Sequence, residues 1–158
     1  MDFLIRKATQ RDYEGLCEVI AEVDALHSEA LPEVYRKPDG PPRTREFISE
    51  ILADENAALF VAESDGQIIG YVLVHIRQAR DIPIMVPRRY ADIEDVAVLK
   101  RFHRRGVGRA LLEMARQWAL DRGVAQVELN VAEFNQGAIA FYEKLGYTTR
   151  SRRMWRPL

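Results

Sequence analysis

The chain contains, at residues 103–109, the turn His103-Arg104-Arg105-Gly106-Val107-Gly108-Arg109. A strand pattern ends just before this turn at Val98, and a helical pattern begins within it. The first backbone amides of a helix have no acceptor inside the helix, and the helix dipole adds positive potential at that end. The glycines allow close approach and the arginines add charge. The turn therefore predicts an anion site suited to a diphosphate.

The turn differs from two common nucleotide-binding loops. No Gly-Lys-Ser/Thr follows it, so it lacks the residue that holds the magnesium ion of a nucleoside triphosphate, and its glycines do not have the Gly-x-Gly-x-x-Gly spacing. By itself the Gly-Val-Gly sequence is equally typical of a plain helix start beside a solvated basic patch. The neighbouring segments are needed to distinguish an anion site from a plain helix start.

The N-terminal third predicts a strand followed by two helices. Phe3 to Lys7 reads as a short strand, and Thr9 with Asp12 forms a helix-start signature. Apolar residues at helical spacing follow from Tyr13 to Val23. A proline-rich loop then separates this helix from a second one around residues 47–52.

The middle of the chain predicts antiparallel strands. Residues 57–63 and 67–76 are rich in aliphatic and aromatic side chains and flank Asp65-Gly66, a strong hairpin turn signal. A proline-containing loop follows, and residues 90–98 then predict a third strand of mixed polarity. The acidic residues within this strand are unusual for a strand and call for a functional explanation.

The C-terminal third alternates helices and strands. An apolar stripe predicts a helix from Gly106 to Arg122, and residues 125–131 predict a strand. A further helix begins at Asn135 and is followed by a predicted strand from Tyr147 to Trp155. The complete order is β-α-α-β-β-β-α-β-α-β, which predicts an α/β (α+β) domain with a mixed sheet.

Length and composition describe an ordinary globular protein. The 158 residues, 47% apolar and 30% charged, suit a single domain over residues 1–158. No segment approaches the roughly 20 apolar residues of a membrane span. The first residues lack the pattern of a signal peptide. We therefore expect a cytoplasmic location and no membrane partner.

The sequence predicts neither a metal site nor a nucleic-acid-binding surface. Cys17 lies in a helical apolar pattern, and the three histidines are far apart without metal-ligand spacing. A net charge of -1 argues against nucleic acid as a partner, because domains that bind it are usually strongly basic. Two arginine-rich clusters, residues 100–109 and 150–156, keep a nucleic-acid-binding domain as an alternative.

Two motifs together carry a resemblance to a known family. Ile93-Glu94-Asp95-Val96-Ala97-Val98 and the turn at 103–109 resemble the central strand and acyl-CoA pyrophosphate loop of the GNAT superfamily of N-acyltransferases. Residues 135–147 resemble the Asn-x-x-Ala-x-x-Phe-Tyr-x-x-x-Gly-Phe/Tyr segment of that family. The resemblance implies a mostly antiparallel central sheet with helices on both faces. It also implies transfer of an acetyl group from acetyl-CoA to a primary amine of a small molecule or protein, by direct attack in a ternary complex.

The resemblance further implies which residues contact acetyl-CoA. The central strand would pair with the pantetheine arm through its backbone, and the turn would hold the diphosphate through its amides. The family's loop usually begins with Arg or Gln and then often Gly, positions that His103 and Arg104 occupy here, so we expect His103 to be only a surface residue. The implied cofactor-binding residues are Val96, Ala97, Val98, Arg104, Arg105, Gly106, Val107, Gly108, Arg109, Asn135 and Tyr142.

The implied reaction needs a general base. An amine attacks a thioester only when deprotonated, and a free alkyl amine, with a pKa of about 10.4, is mostly charged at neutral pH. Glu94 is the candidate, acting directly or through water. Asp95 is its rival, because strand alternation puts the two on opposite faces and a bulge, common in this family, changes which one faces the cleft. Without a catalytic role, Glu94 would be a surface carboxylate, and Asp95 would be a buried partner of a backbone amide or an arginine.

The departing CoA thiolate gains from a proton donor. Tyr142 matches the tyrosine that often serves as general acid in the family, although its place on an apolar helix stripe also suits a core residue. Asn135 is predicted to cap the last helix, with or without a contact to the cofactor.

Acceptor sites in this family are built from the first two helices, the loop between them and the segment before the central strand. The corresponding candidates are His27, Tyr35, Tyr90 and Asp95. A local likeness to diamine acetyltransferases in Ile93-Glu94-Asp95 and residues 131–135 adds a polyamine-like acceptor to the candidates. A protein N-terminus, a lysine side chain, an amino acid and an aminoglycoside remain open.

A non-catalytic acyl-CoA-binding sensor is the second alternative, in which the same residues bind without transfer. The presence of both Glu94 and Tyr142 favours an enzyme. Edge strands near the C-terminus, together with the frequent dimerisation of the family, favour a homodimer.

Overall fold

The computed structural model describes residues Met1–Leu158. It contains a five-stranded sheet, ordered β1-β2-β3-β4-β5, and four α-helices. The strands are β1 (Leu4–Lys7), β2 (Ala57–Ser64), β3 (Gln67–Gln78), β4 (Arg89–Val98) and β5 (Val127–Leu129), and the helices are α1 (Tyr13–Ala30), α2 (Arg45–Ala53), α3 (Val107–Leu120) and α4 (Gln136–Lys144).

The sheet is mostly antiparallel, as predicted. Every neighbouring pair of strands is antiparallel except β4 and β5, which are parallel. Asp65 and Gly66 join β2 to β3 with φ angles of 50° and 77°. Two consecutive left-handed residues form the tight turn that suits the twist of a hairpin. The predicted hairpin is confirmed.

Both faces of the sheet are covered by helices, which confirms the layered arrangement. On one face α3 packs its apolar stripe on the sheet, with Leu111 against Val74 in a shared buried cluster. On the other face α1 and α2 bring Leu16 and Ile48 into a second buried cluster with Val61. Strand alternation supplies apolar side chains to both clusters.

The prediction of a last strand is wrong. The pattern predicts a strand over Tyr147–Trp155, but none forms there, and residues 148–158 take part in no backbone hydrogen bond. Residues 148–153 carry no apolar side chain that a strand could bury. The segment is instead linked to β5 by an ion pair, with Arg150 Nη1 2.5 Å from Glu128 Oε1. The observed order is therefore β-α-α-β-β-β-α-β-α.

A bulge interrupts β4 in its middle. Against β3, Ile93 pairs with Val74 and Asp95 pairs with Leu73, which leaves Glu94 as an extra residue. An extra residue in one strand bends it and reverses the direction of the groups beyond it. The bulge therefore changes the orientation of β4 just where its acidic residues lie.

The second half of β4 has no neighbour on the β5 side. β5 pairs only with residues 91–93, so residues 94–98 form an open edge. The backbone N–H of Leu99 donates to Ile69 O in β3 at 2.9 Å. Backbone groups alternate in direction along a strand, so those of Val96 and Val98 face the open edge. This open edge of β4 is bounded by the bulge at one end and by the turn at residues 103–109 at the other.

β3 and β4 approach each other closely at Gly70. A Cβ atom at this position would lie 2.8 Å from Ala97 O and 3.2 Å from Leu111 Cδ1. The backbone oxygen belongs to the sheet and the leucine belongs to α3, so neither can move aside easily. The glycine thus allows α3 to pack tightly on the strand that carries the open edge.

We expect Gly70→Ala to lower the free energy of unfolding by about 1–3 kcal/mol, because the added methyl group overpacks this contact. Urea unfolding followed by circular dichroism measures the change. Gly40→Ala is the matched control, since a Cβ atom there meets nothing within 4 Å. Equal stabilities of the two variants would contradict the steric argument.

Candidate active site

The turn between β4 and α3 presents free backbone donors. Gly106, with a φ of 84°, and Arg104, with a φ of 59°, adopt left-handed conformations that reverse the chain before α3 begins at Val107. The backbone amides of residues 104–109 have no acceptor within the chain. Successive free amides at a helix N-terminus form an anion site. The turn therefore offers a row of free donors at the start of α3.

His103 has a structural contact that the sequence did not predict. Its Nε2 atom lies 2.7 Å from Val98 O, and because a carbonyl only accepts, Nε2–H is the donor. The imidazole is otherwise exposed, as expected of a surface histidine. The bond ties the start of the turn to the end of the open edge.

Gly108 brings the turn close to α4. A Cβ atom at Gly108 would lie 3.3 Å from Phe141 Cζ, so the first turn of α3 and the middle of α4 are in contact. The predicted cap of α4 is confirmed, since the Asn135 side chain accepts a hydrogen bond from Ala138 N–H at 3.1 Å. The arginines of the turn remain exposed beside these amides, at positions 104, 105 and 109.

An acyl-CoA molecule fits the donors in this region. The free amides of residues 104–109 suit a diphosphate, and the open edge offers Val96 and Val98 to an extended amide-containing arm. The third predicted residue of this strand, Ala97, has its backbone turned toward β3 and its side chain buried. The open-edge donors and acceptors are therefore the backbone groups of Val96 and the N–H of Val98, whose carbonyl already accepts from His103.

The bulge brings Glu94 and Asp95 to the same side of the sheet. Simple alternation predicts opposite faces for these neighbours, and that expectation is wrong, because both border one cavity of about 120 Å³ beneath α1 and α2. Two carboxylates thus lie at the end of the open edge, where β4 and β5 separate. Their surroundings differ strongly.

Asp95 lies in a buried polar cluster. The hydroxyl of Tyr71, on β3, donates to Asp95 Oδ2. Burial raises the pKa of Asp95, and this effect is opposed by the Tyr71 hydrogen bond and by the positive charge of Arg43. Arg43 is itself paired with Asp24, with Nη1 3.0 Å from Oδ2. The cluster therefore holds a carboxyl group whose charged form is disfavoured.

Glu94 is more exposed and contacts a guanidinium group and an imidazole. Its side chain is 41% exposed, and its Oε2 atom lies 3.1 Å from Arg77 Nη2 and 2.9 Å from His75 Nε2. The histidine contact is not aligned as a hydrogen bond, and His75 Nε2 has no other partner. Arg77 also reaches Asp92 Oδ2 at 3.3 Å. Glu94 is thus held in place while solvent still reaches it.

Tyr142 lies on α4 among aromatic rings. Its ring centroid is 5.4 Å from that of Phe141 and 5.7 Å from that of Tyr147. Burial, followed by the nearby Tyr147 and Asp95, raises the pKa of Tyr142 to about 12. The phenol therefore carries its proton at neutral pH.

Two of the four predicted acceptor residues, His27 and Tyr35, lie together. The His27 ring contacts Tyr35 and Phe134 edge-on, at centroid distances of 5.5 Å each. Nδ1 of His27 lies 2.9 Å from Val23 O and donates to it, because a carbonyl only accepts. The third predicted residue, Asp95, lies in the buried polar cluster with Tyr71.

Tyr90 is the predicted acceptor residue that lies apart from this group. It stands near the start of β4, and the Arg88 guanidinium lies 4.6 Å from its ring centroid. In the β3–β4 register it pairs with Arg77, at the opposite end of β4 from the open edge. The stacking on Arg88 accounts for its position without a ligand.

Sequence reasoning missed Tyr71, Arg43 and His75. Tyr71 and His75 lie in a strand that reads as purely apolar core, and Arg43 lies in a proline-rich loop. A tyrosine hydroxyl or a histidine in a buried apolar strand needs a polar partner. This need was the only indication in the sequence that Tyr71 and His75 have polar contacts. Their partners, Asp95 and Glu94, are visible only once the register is known.

No three His, Cys, Asp or Glu side chains lie close enough together to hold a metal ion. None of the four α-helices combines the length and the apolarity that crossing a bilayer requires.

Comparison with known proteins gives a consistent result. The model of the acetyltransferase (GNAT) family matches residues 2–147. An N-alpha-acetyltransferase from Sulfurisphaera tokodaii is 30% identical over 151 residues, which span 92% of this chain and 80% of that relative.

Solved structures show the same architecture. A mutant of the BH1408 protein from Bacillus halodurans superposes with a TM-score of 0.93 at 27% identity, covering 98% of this chain and 99% of that one. An aminoglycoside N-acetyltransferase in complex with CoA superposes with a TM-score of 0.75 at 19% identity, covering 98% of each chain, a likeness of fold alone.

We expect Tyr71→Phe to raise the pKa of Asp95 further, because the lost O–H donor stabilises the carboxylate. The folded-state pKa already lies above the unfolded value, so stability falls as pH rises between the two, and in the variant this fall extends to higher pH. A ¹³C titration of the Asp95 carboxyl measures the midpoint. Tyr13→Phe, which loses a hydroxyl bonded to Arg43 O, is the control. A midpoint that stays constant or falls would disprove the interaction.

Proposed function

The chain belongs to the acetyltransferase (GNAT) family and is an acetyl-CoA-dependent N-acetyltransferase, and we propose that it transfers the acetyl group directly to a primary amine in a ternary complex. The observation that carries the proposal is the open edge of β4. It runs from the free amides of residues 104–109 to the carboxylates at Glu94 and Asp95. The open edge thus begins at the donors for a diphosphate and ends at the carboxyl groups that could accept a proton.

The turn and the open edge bind the donor substrate. Backbone amides of residues 104–109 donate to the diphosphate, and Arg104, Arg105 and Arg109 add positive charge around it. Val96 and Val98 pair with the pantetheine arm as an added strand would. Acetyl-CoA supplies the thioester, and this geometry holds the carbonyl carbon at the point where β4 and β5 separate. Holding two reactants together supplies much of the rate enhancement.

Glu94 removes a proton from the incoming ammonium, directly or through water. Its carboxylate is partly exposed and fixed by Arg77, so an amine can reach it. Asp95 is less suited, because burial disfavours its charged form and one of its oxygens already accepts the Tyr71 hydrogen bond. Asp95 instead orients the site and adds negative potential for a cationic acceptor.

The deprotonated nitrogen attacks the carbonyl carbon, a C–N bond forms and the C–S bond breaks. A backbone N–H of the open edge stabilises the negative charge that develops on the carbonyl oxygen. Tyr142 donates its proton to the departing sulfur. The nitrogen still carries one extra proton once the C–N bond has formed, and this proton passes, directly or through water, to the Tyr142 oxygen and restores its hydroxyl.

The acceptor enters between the carboxylates and the aromatic group of His27, Tyr35 and Phe134. The relative from Sulfurisphaera tokodaii is named for transfer to an α-amine, which is a primary amine beside a side chain. A protein or peptide N-terminus therefore belongs among the acceptors to be tested, together with small-molecule amines.

We expect the protein to release CoA from acetyl-CoA in the presence of primary amines, and Tyr142→Phe to lower kcat about 100-fold, the usual contribution of a general acid. The KM for acetyl-CoA should stay nearly constant, since the hydroxyl acts on the leaving group. Thiol release measured with a chromogenic reagent gives both values. Tyr147→Phe, which removes a neighbouring hydroxyl, is the control. Wild-type kcat in the Tyr142 variant would reject the general acid role.

We expect Glu94→Gln to lower kcat/KM about 100-fold at neutral pH. The deficit should shrink as the pH rises toward about 10.4, where a free alkyl amine loses its proton without help. Rates measured over this range give the profile, and Asp92→Asn, on the same strand and also beside Arg77, is the control. If Asp95→Asn shows this profile and Glu94→Gln does not, Asp95 is the base.

A further inference from the structure

The cavity beneath α1 and α2 is enclosed largely by aliphatic side chains. Its walls come from both helices and from the sheet, and most of the lining residues belong to the second buried cluster. With a volume of about 120 Å³, it exceeds the gaps that separate well-packed side chains. The wall residues are Leu16, Ile20, Ile48, Ile51, Leu59 and Leu73.

The polar side chains of the lining are grouped around the carboxyl groups. Glu94, Asp95 and Arg43 belong to the lining, together with Tyr71 and Phe47. Phe47 is 37% exposed and the Glu94 side chain is 41% exposed, so this end of the cavity, its opening, reaches the surface. Aliphatic lining residues and the Glu94 carboxylate therefore both adjoin the nitrogen position of the proposed reaction.

We propose that the acceptor is a primary amine with a compact apolar substituent, which enters this cavity while its ammonium group lies at Glu94 and Asp95. The inference rests on the proposed function, since it names the substrate class of the same site. The Glu94 carboxylate attracts the ammonium group to the opening. The aliphatic side chains of the lining favour an apolar substituent on the nitrogen.

The size of the cavity limits the substituent. An apolar cavity of about 150 Å³ in a protein core holds a benzene molecule, so the space here takes roughly four to six non-hydrogen atoms. A branched alkyl group or a single ring meets this limit. The side chain of an N-terminal leucine meets it as well, which agrees with an α-amine acceptor.

A polyamine or an aminosugar is a poor occupant of the same space. A second ammonium or a hydroxyl pushed against the aliphatic part of the lining would lose its hydration. The polar lining groups of Arg43, Asp95 and Glu94 already have partners in Asp24, Tyr71 and Arg77. The one hydroxyl nearby, that of Tyr71, already donates to Asp95. The structure therefore favours an apolar amine over the polyamine-like acceptor that the sequence suggested.

The first test compares amines that share the ammonium group and differ in the substituent on it. We expect kcat/KM to rise roughly fourfold for each added methylene from ethylamine to 3-methylbutylamine, since each one is buried. Putrescine and spermidine should react more slowly than 3-methylbutylamine. Thiol release with saturating acetyl-CoA measures the series.

The second test changes the cavity itself. Ile51→Phe fills part of it, and kcat/KM for 3-methylbutylamine should fall by about tenfold or more while that for ethylamine changes little. Ile82→Phe makes the same substitution at an exposed loop residue and should change neither value. Phe47→Ala, at a partly exposed residue of the opening, should shift the preference toward 4-phenylbutylamine, and it keeps the test decisive if the Ile51 variant does not fold.

The outcomes separate the two proposals. A preference for apolar amines that Ile51→Phe or Phe47→Ala alters supports the inference. Acetylation that is fastest with polyamines, or that neither variant redirects, overturns it, leaves the proposed function intact, and makes the cavity a packing defect only. If no amine in the series and no peptide N-terminus releases CoA, the proposed function and the inference both fall.

Discussion

The extra residue at Glu94 reverses the direction in which β4 presents its backbone and side chains. Before the bulge, Ala91 N–H donates to Gln126 O on the β5 side at 2.8 Å, and after it Leu99 N–H donates to β3. The second half of the strand can no longer continue its pairing with β5. The unpaired edge, the separation of the two strands and the common orientation of Glu94 and Asp95 all follow from this single insertion. A bulge removed from β4 would close the site as well as straighten the strand.

One strand thus supplies two carboxylates with different environments. Asp95 is buried against Tyr71, where desolvation disfavours its charge, whereas Glu94 stays partly exposed beside Arg77. In enzymes, two residues of the same type often act one as acid and one as base because their surroundings give them different pKa values. Tyr142 extends the same division, because burial keeps its hydroxyl protonated. At a single pH, one of these groups can therefore accept a proton while another donates one.

The sequence predicted most of the fold because hydrophobic periodicity and turn chemistry are local properties. The hairpin at Asp65-Gly66 and the cap at Asn135 followed from them, as did the long helix α3. The strand predicted over Tyr147–Trp155 did not form, because residues 148–153 have no apolar side chain to pack against the sheet. The Tyr71–Asp95 and His75–Glu94 contacts needed the register with its bulge, which no local pattern reveals. The roles of Glu94 and Tyr142, the homodimer and the cytoplasmic location stay predictions.

The bond from His103 to Val98 has a consequence for how the donor-substrate site is built. Nε2–H of His103 donates to Val98 O, so a side chain joins the turn at residues 103–109 to the open edge of β4, in addition to the backbone between them. The diphosphate donors and the strand that would pair with the pantetheine arm are therefore held at a fixed spacing. A displacement of the turn would be passed on directly to the end of that strand.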